Sequence, residues 1–225
     1  MTHNIEEILI FEDNHLLALN KPAGMLTQPS YGRTDNLEDN AKKWIKKEKN
    51  KPGNVFLNAV HRLDRAASGI VLFAKTGKAL SRMNKLMRDR MITKKYLTVT
   101  SPGPKNNSGR LIHYIRHSSM HAEITGAEHS GSKKASLYYT VKERNESFIH
   151  IEILLETGRY HQIRAQLSAM GWPIVGDWKY LSPLTLAGDS ILLHHIRMSF
   201  IHPVSGKTLE LKAPLPFYWP FPDFA

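Results

Sequence analysis

Apolar alternation and short apolar runs recur at 6–11, 15–20, 55–60, 69–75, 92–100, 134–142, 147–155, 191–200 and 207–211, and each reads as a strand. Three stretches carry the helical period instead. Residues 36–48 open on Asp35 and Asn36 as caps, place Glu38 and Asp39 in the first turn and end in lysines, a polarity that complements the helix dipole. Residues 78–90 align Leu80, Met83 and Met87, and residues 159–170 align Tyr160, Ile163, Leu167 and Met170. Strands and helices do not alternate regularly, which argues against a doubly wound parallel sheet. The pattern predicts an α+β fold with a mixed, largely antiparallel sheet flanked by helices. Turn-rich stretches at 101–109 and 125–133 are expected at the surface. The proline-rich PLPFYWPFPDFA at 214–225 is expected to lie extended with its aromatics against the body.

A chain of 225 residues without repeats or a long linker is expected to form a single domain over 1–225. It contains no cysteine, which excludes thiolate catalysis, thiolate metal sites and disulfides. The first residues lack the basic-then-apolar order of a secretory signal. No apolar run approaches the ~20 residues that cross a bilayer, so a cytoplasmic location without membrane contact is expected. Lys and Arg outnumber Asp and Glu by 31 to 20, a formal charge of +11. Such an excess points to a polyanionic partner, commonly nucleic acid, against the plainer account of a generic basic surface.

Several familiar sites fail on inspection. Gly206-Lys207-Thr208 resembles the end of a phosphate-binding loop, but Ile201 stands where its first glycine is required, and a hairpin turn is the better reading. No G-x-S-x-G, G-x-G-x-x-G or H-E-x-x-H occurs. His113, His117 and His121 would align as metal ligands only on a helix, and Ser118, Ser119 and nearby β-formers oppose one, so no metal is expected. His194 and His195 point to opposite faces of a strand.

Three segments remain. HRLDRAASG (61–69) follows a short strand and precedes an apolar one, with Asp64 between Arg62 and Arg65; a turn capped by Asp64 is the plainer account. TGRYHQIRAQL (157–167) reads as a Thr-Gly turn opening a helix. Its Arg164 lies next to the apolar face, where it would be partly buried and need an acidic partner. In KKYLTV (94–99), alternation puts Tyr96 and Thr98 on one face of a strand and Lys95 and Leu97 on the other.

These segments resemble the motifs of the RluA-type RNA pseudouridine synthases. HRLDRAASG is similar to that family's H-R-L-D-x-x-T-S-G, LETGRYHQIRAQL to its T-G-R-x-H-Q-I-R-x-H-L, and KKYLTV to its K-x-Y-x-A-x. Asn20-Lys21-Pro22-Ala23-Gly24 is similar to its N-K-P-x-G, while GWPIVGDWKY (171–180) and His202–Gly206 complete a match running from 8 to 214. Ala67, Thr98 and Gln166 depart from the pattern, replacing Thr, Ala and His. The resemblance implies the pseudouridine synthase fold with a central active-site cleft, and no separate N-terminal RNA-binding domain. It implies an isomerase that turns specific uridines of structured ribosomal or transfer RNA into pseudouridine, working as a monomer. Asp64, Tyr96 and Arg164 would be its catalytic residues, with Arg164 pairing Asp64. Arg62, Leu167, His61 and Arg159 would bind substrate: Arg62 filling the gap left by a flipped base, Leu167 lying beneath that base.

The chemistry breaks a nitrogen–carbon bond and forms a carbon–carbon bond to the same sugar. Nothing is oxidised and no group is supplied, so no cofactor is expected. A carboxylate can stabilise the sugar's developing positive charge, attack it or remove a neighbouring proton, and the residues do not choose among these. Two basic runs offer phosphate contacts. Residues 42–51 hold six lysines, and residues 82–95 hold Arg82, Lys85, Arg88, Arg90, Lys94 and Lys95; solvated helix faces are the plainer account for both. A non-catalytic RNA-binding protein on the same scaffold is the alternative. A carboxylate-dependent hydrolase is a third reading, which needs a second carboxylate, for which Glu156 and Asp177 are the outlying candidates.

Overall fold

The structure, a computed structural model, describes residues 4–30, 35–118 and 121–221. A 3-10 turn at Ile5–Ile8 leads into β1 (Leu9–Glu12) and β2 (Leu16–Lys21), followed by helix α1 (Leu37–Glu48), β3 (Asn58–Ala59), β4 (Ser68–Ala74) and helix α2 (Gly77–Arg88). Then come β5 (Thr93–Thr100), β6 (Ser108–His117), β7 (Ala122–Thr125), β8 (Lys133–Arg144), β9 (Ile149–Leu155), helix α3 (Gln162–Ala169), a 3-10 turn at Trp178–Tyr180, β10 (Leu193–Ile201) and β11 (Thr208–Lys212). The class is α+β, as the sequence pattern predicts. Among the described residues no helix is long and apolar enough to cross a membrane. The chain divides into two compact units, one built from 1–92 and 195–218, the other from 93–194 and the segment beginning at Trp219.

In the first unit β2 pairs antiparallel with β1 and with β4, β3 adds to β4, and β10 pairs antiparallel with β11. The runs LLAL and IVLFA are apolar throughout because both sheet faces are covered. Leu16, Ala18, Ile70 and Leu72 pack on one side with Ala79 and Met83 of α2. Leu17, Leu19, Val71 and Phe73 pack on the other with Leu37, Ala41 and Ile45 of α1. Each helix has a side-chain cap: Asn36 accepts from Asp39 N at 2.9 Å and Thr76 from Ala79 N at 3.1 Å. The Gly206 segment is the expected hairpin turn, with φ +70° at Gly206 between β10 and β11.

In the second unit β5, β9, β8, β6 and β7 form an antiparallel run in that order. Helix α3 lies against it through Ala165, which shares a buried cluster with Ile115, Ala122, Ala135 and Tyr180. Trp219 and Phe221 are buried as expected, Phe221 stacking on His150 at 4.8 Å, whereas Phe217 is fully exposed and residues 222–225 lie outside the described ones.

Three boundaries differ from the sequence reading. Residues 5–8 form a 3-10 turn, not the start of a strand, because Asn4 caps it by accepting from Glu6 N. The hairpin β6–β7 falls where no strand is predicted; Leu111 and Ile115 are buried on one face of β6, but Ile112 and Tyr114 stand on the other and His113 between the two buried residues, so the apolar alternation is blurred in the sequence. His113 and His117 therefore lie on a strand, where four positions span ~13 Å. Helix α3 begins at Gln162, and Tyr160 stands before it, exposed, instead of continuing its apolar face.

Gly69 opens β4 with φ +109°, and a Cβ there would overlap the backbone N, C and O of His195. We predict that Gly69→Ala destabilises the protein by about 3 kcal/mol or more, read by thermal denaturation as a Tm lowered by roughly 6–12 °C.

Candidate active site

Asp64 lies in the loop joining β3 to β4, half-buried, with Arg62 exposed beside it. A turn closed by Ala67 N donating to Asp64 O at 3.1 Å shapes the loop. The segment after β2 then pins it from outside. Thr27 Oγ1 donates to Leu63 O at 3.1 Å and accepts from Leu63 N at 3.2 Å, while Gly24 N donates to Arg65 O at 2.8 Å. Beneath them Lys21 is fully buried, and its ammonium donates to Pro22 O and Met25 O at 2.9 Å and to Arg65 O at 3.2 Å. All three N–H groups of the ammonium are used. Burial pulls the Lys21 pKa from 10.5 to about 7, against the attraction of the Asp64 carboxylate, and Arg65 lowers it a little further. His61 accepts from Leu72 N at 3.3 Å through Nε2 and meets the His195 ring edge-on at 5.4 Å.

In the second unit the residues before α3 are clamped to β8. Thr157 Oγ1 accepts from Ser136 N at 2.9 Å and donates to Gln162 Oε1 at 2.7 Å, Arg159 N donates to the same Oε1 at 3.0 Å, and Gln162 Nε2 donates to Ser136 O at 3.1 Å. This clamp turns the chain so tightly that His161 takes a left-handed φ of +49° before the helix starts.

Arg164 then points into the interior, only 5% exposed. Its Nε and Nη2 donate to Asp177 Oδ2 and Oδ1 at 2.7 and 2.8 Å, a two-pronged ion pair whose carboxylate is buried as well. The third prong, Nη1, donates to His161 Nε2 at 3.0 Å, and His161 Nδ1 bonds the Tyr180 hydroxyl at 2.9 Å. With Nε2 accepting, the proton belongs on Nδ1. Burial first, and the Arg164 charge second, pull the His161 pKa down to about 3, so the ring stays neutral as this arrangement requires. Tyr96 is 7% exposed on β5 and Leu167 is fully buried in α3, while Arg159 is exposed with Nε on Lys134 O at 3.3 Å. The acidic partner expected for Arg164 is present.

A model of the RNA pseudouridylate synthase family matches residues 15–169. The chain belongs to the RluA-type RNA pseudouridine synthases. It is 33% identical over 226 residues to the ribosomal large subunit pseudouridine synthase C of Rickettsia prowazekii (strain Madrid E), covering 96% of this chain and 70% of that one. It is 32% identical over 219 residues to the ribosomal large subunit pseudouridine synthase D of Zymomonas mobilis, covering 92% and 69%. The solved structure of human RNA pseudouridylate synthase domain containing 4 superposes with a TM-score of 0.79 over 95% of this chain and 90% of that one; at 21% identity this likeness speaks for the fold alone. The protein is thus an isomerase that converts uridine in RNA to pseudouridine.

The synthase's three departures from the family pattern each find local partners. Ala67 supplies the backbone N–H that closes the Asp64 turn. Thr98 Oγ1 donates to Leu192 O at 2.8 Å. Gln166 Nε2 lies 3.3 Å from Leu111 O and 3.0 Å from His113 Nδ1. The outlying carboxylates have partners as well, Asp177 in Arg164 and Glu156 in Arg110 at 3.0 and 3.1 Å. Of the basic runs, Lys42 meets Glu38 at 2.7 Å, Lys49 meets Glu12 at 3.6 Å, Lys85 meets Asp89 at 3.0 Å and Lys95 meets Glu152 at 3.3 Å, while Lys43, Lys46, Lys47, Arg88 and Arg90 are exposed. Sequence reasoning assigned no role to Lys21, Thr157 or Gln162, and named Asp177 only as an outlying second carboxylate, not as the partner of Arg164. All four stand inside the quoted motifs, so the signal was present but not attached to these contacts.

Two outcomes follow from these buried charges. Between pH 7 and 10.5 the unfolded chain holds a proton on Lys21 that the folded protein has released, so this group makes stability rise with pH across that window. Unfolding free energies measured over the window should rise less steeply in Lys21→Met than in the wild type. Asp177→Asn strips the buried guanidinium of its counter-charge and is expected to cost about 3–5 kcal/mol in denaturant unfolding.

Proposed function

We propose that Asp64 is the essential carboxylate of this RNA pseudouridine synthase, acting at the ribose carbon of a uridine extruded from its stack. The observation that carries the proposal is the rigid support under the Asp64 loop, where Thr27, Gly24 and the buried Lys21 ammonium fix the backbone at Leu63 and Arg65 on either side of the carboxylate. A carboxylate that must meet one carbon of the sugar gains from such pre-ordering, because misplacement by ~1 Å can cost two powers of ten in rate. Extruding the base costs a few kcal/mol, offset by stacking and by contacts to the exposed nucleotide.

In this reading Tyr96 stacks on the uracil, Leu167 forms the apolar support beneath it, and Arg62, fully reachable from solvent, fills the vacated stack. His61 and Arg159 contact the flanking nucleotides. Arg164, already bound by Asp177, is the cationic partner of Asp64 in the reaction. The substrate is structured RNA, with large-subunit ribosomal RNA favoured because the relatives named above act there by name. The enzyme works as a cytoplasmic monomer and without a cofactor, since every atom of the product comes from the substrate.

The decisive experiment incubates the purified protein with total RNA from cells lacking it and maps pseudouridine chemically. Asp64→Asn should retain the fold and most RNA affinity while losing turnover by at least about a thousandfold; near-normal turnover would remove Asp64 from its role and favour a binding protein on the same scaffold. Tyr96→Phe should keep more activity than Tyr96→Ala, as stacking requires; equal losses would transfer the role to the hydroxyl.

A further inference from the structure

Two lysines are buried in this chain, and they are built differently. Lys21 has an acceptor for each of its three N–H groups. Lys94, 8% exposed at the start of β5, has none among the described residues, and no carboxylate faces it. Burial alone acts on it, holding its pKa below the usual lysine range. Its stem is buried while its ammonium reaches an open space without a protein acceptor, an arrangement that leaves the charge free to take an anion.

The surroundings show what the use is. Lys94 and Tyr96 are two positions apart on one strand and so share a face of it. Gly158, exposed just before α3, is the other neighbour. Its φ lies outside the left-handed region, so the backbone there does not demand glycine. Around the position where its Cβ would be, apart from its chain neighbours, the one heavy atom of the described residues within 4 Å is Lys94 Nζ, at 3.5 Å. Glycine thus leaves a solvent-facing space bordered by the Lys94 ammonium, with the exposed Arg159 next in the chain. The loop that carries the glycine is held still by Thr157 and Gln162 on Ser136. A fixed notch with an unsatisfied cation at its wall suits a compact anion.

We propose that Lys94 and the notch at Gly158 form a phosphate site that takes a backbone phosphate of the substrate RNA beside the uridine being isomerised. The proposal rests on the RNA substrate and the Tyr96 role given above. The phosphate supplies the acceptors that Lys94 lacks in the free protein, so the energy withheld in folding is recovered in binding.

The test compares wild type, Lys94→Met and Gly158→Ala on one RNA stem–loop that the wild type is shown to modify. If the wild type modifies none, the activity reading fails, and the salt slope of RNA binding in wild type against Lys94→Met then decides this proposal alone. Lys94→Met removes the charge and keeps the bulk, and it should melt at or above the wild-type Tm. Its KM should rise about ten- to a hundredfold, the value of a charge-assisted hydrogen bond, with kcat little changed. The slope of log affinity against log salt should shrink by about 0.7, the loss of one phosphate contact on single-stranded RNA. Gly158→Ala should raise KM at an unchanged Tm, because its methyl group fills the notch while leaving the charge in place. A lowered Tm in Lys94→Met would make that lysine structural and overturn the proposal. An unchanged salt slope would mean that no phosphate is bound there, and an unchanged KM in Gly158→Ala would detach the site from the notch.

Discussion

The position of Asp64 depends on a charge that the solvent never reaches. The Lys21 ammonium draws three carbonyls toward one point, two from its own turn and one from Arg65, the residue after the carboxylate. Carbonyl groups crowded in this way repel one another unless a cation sits between them. The strand β2 brings Lys21 to that point because its antiparallel register against β4 sets Lys21 opposite Gly69 at the far end of the same loop. Sheet pairing and the lysine therefore act on one segment: the first fixes where the loop starts and ends, the second fixes its middle. The half-buried carboxylate in turn attracts the Lys21 ammonium and favours its charged form.

The second unit uses the same device with opposite sign. Asp177 is the buried anion, and Arg164 gives it two parallel hydrogen bonds. Because the guanidinium is planar, that pairing sets its plane, and the remaining nitrogen is then directed by geometry onto His161. His161 can accept only while neutral, and the Arg164 charge beside it helps keep it so. Tyr180 closes the chain by holding His161 and the backbone of Ala122 in β7. Such a network adds little net stability compared with apolar packing of the same volume. What it provides is a single orientation for Arg164, which is what a residue with a role in chemistry needs.

Much of this was legible in the residues. The central strands β2, β4, β5, β8 and β9 stood out because burial on one or both faces leaves an unbroken apolar record. Helices α1 and α2 carried both the period and their caps. The hairpin β6–β7 did not stand out, because Ile112 and Tyr114 on the outer face of β6 and His113 on the inner one erase the apolar alternation that its burial follows. The start of α3 was misplaced by the Thr157–Gln162 clamp, a contact between side chains that propensity does not contain. At the site, the requirement of Arg164 for a carboxylate followed from its place beside an apolar stripe. That Asp177 would supply it did not, since thirteen residues and a turn separate them. Lys21 was hidden for the opposite reason: a lysine ending a strand looks like a surface residue, and only the converging carbonyls show that it is not.

Lys21 and Lys94 together show how buried charge divides between folding and function. Each loses its hydration when the chain folds, and each has its pKa lowered by that loss. For Lys21 three carbonyls accept from the ammonium inside the protein, so the side chain acts as a structural tie. For Lys94 no protein acceptor among the described residues does so, and its ammonium borders the open space at Gly158. A protein selected only for stability would replace the second lysine with an apolar residue of the same length. Its retention next to a glycine that the backbone does not require is therefore best explained by an interaction made outside the folded chain. In an enzyme that must draw a polyanion close and extract one base from it, an unsatisfied cation at a fixed position performs that task without any motion of the protein.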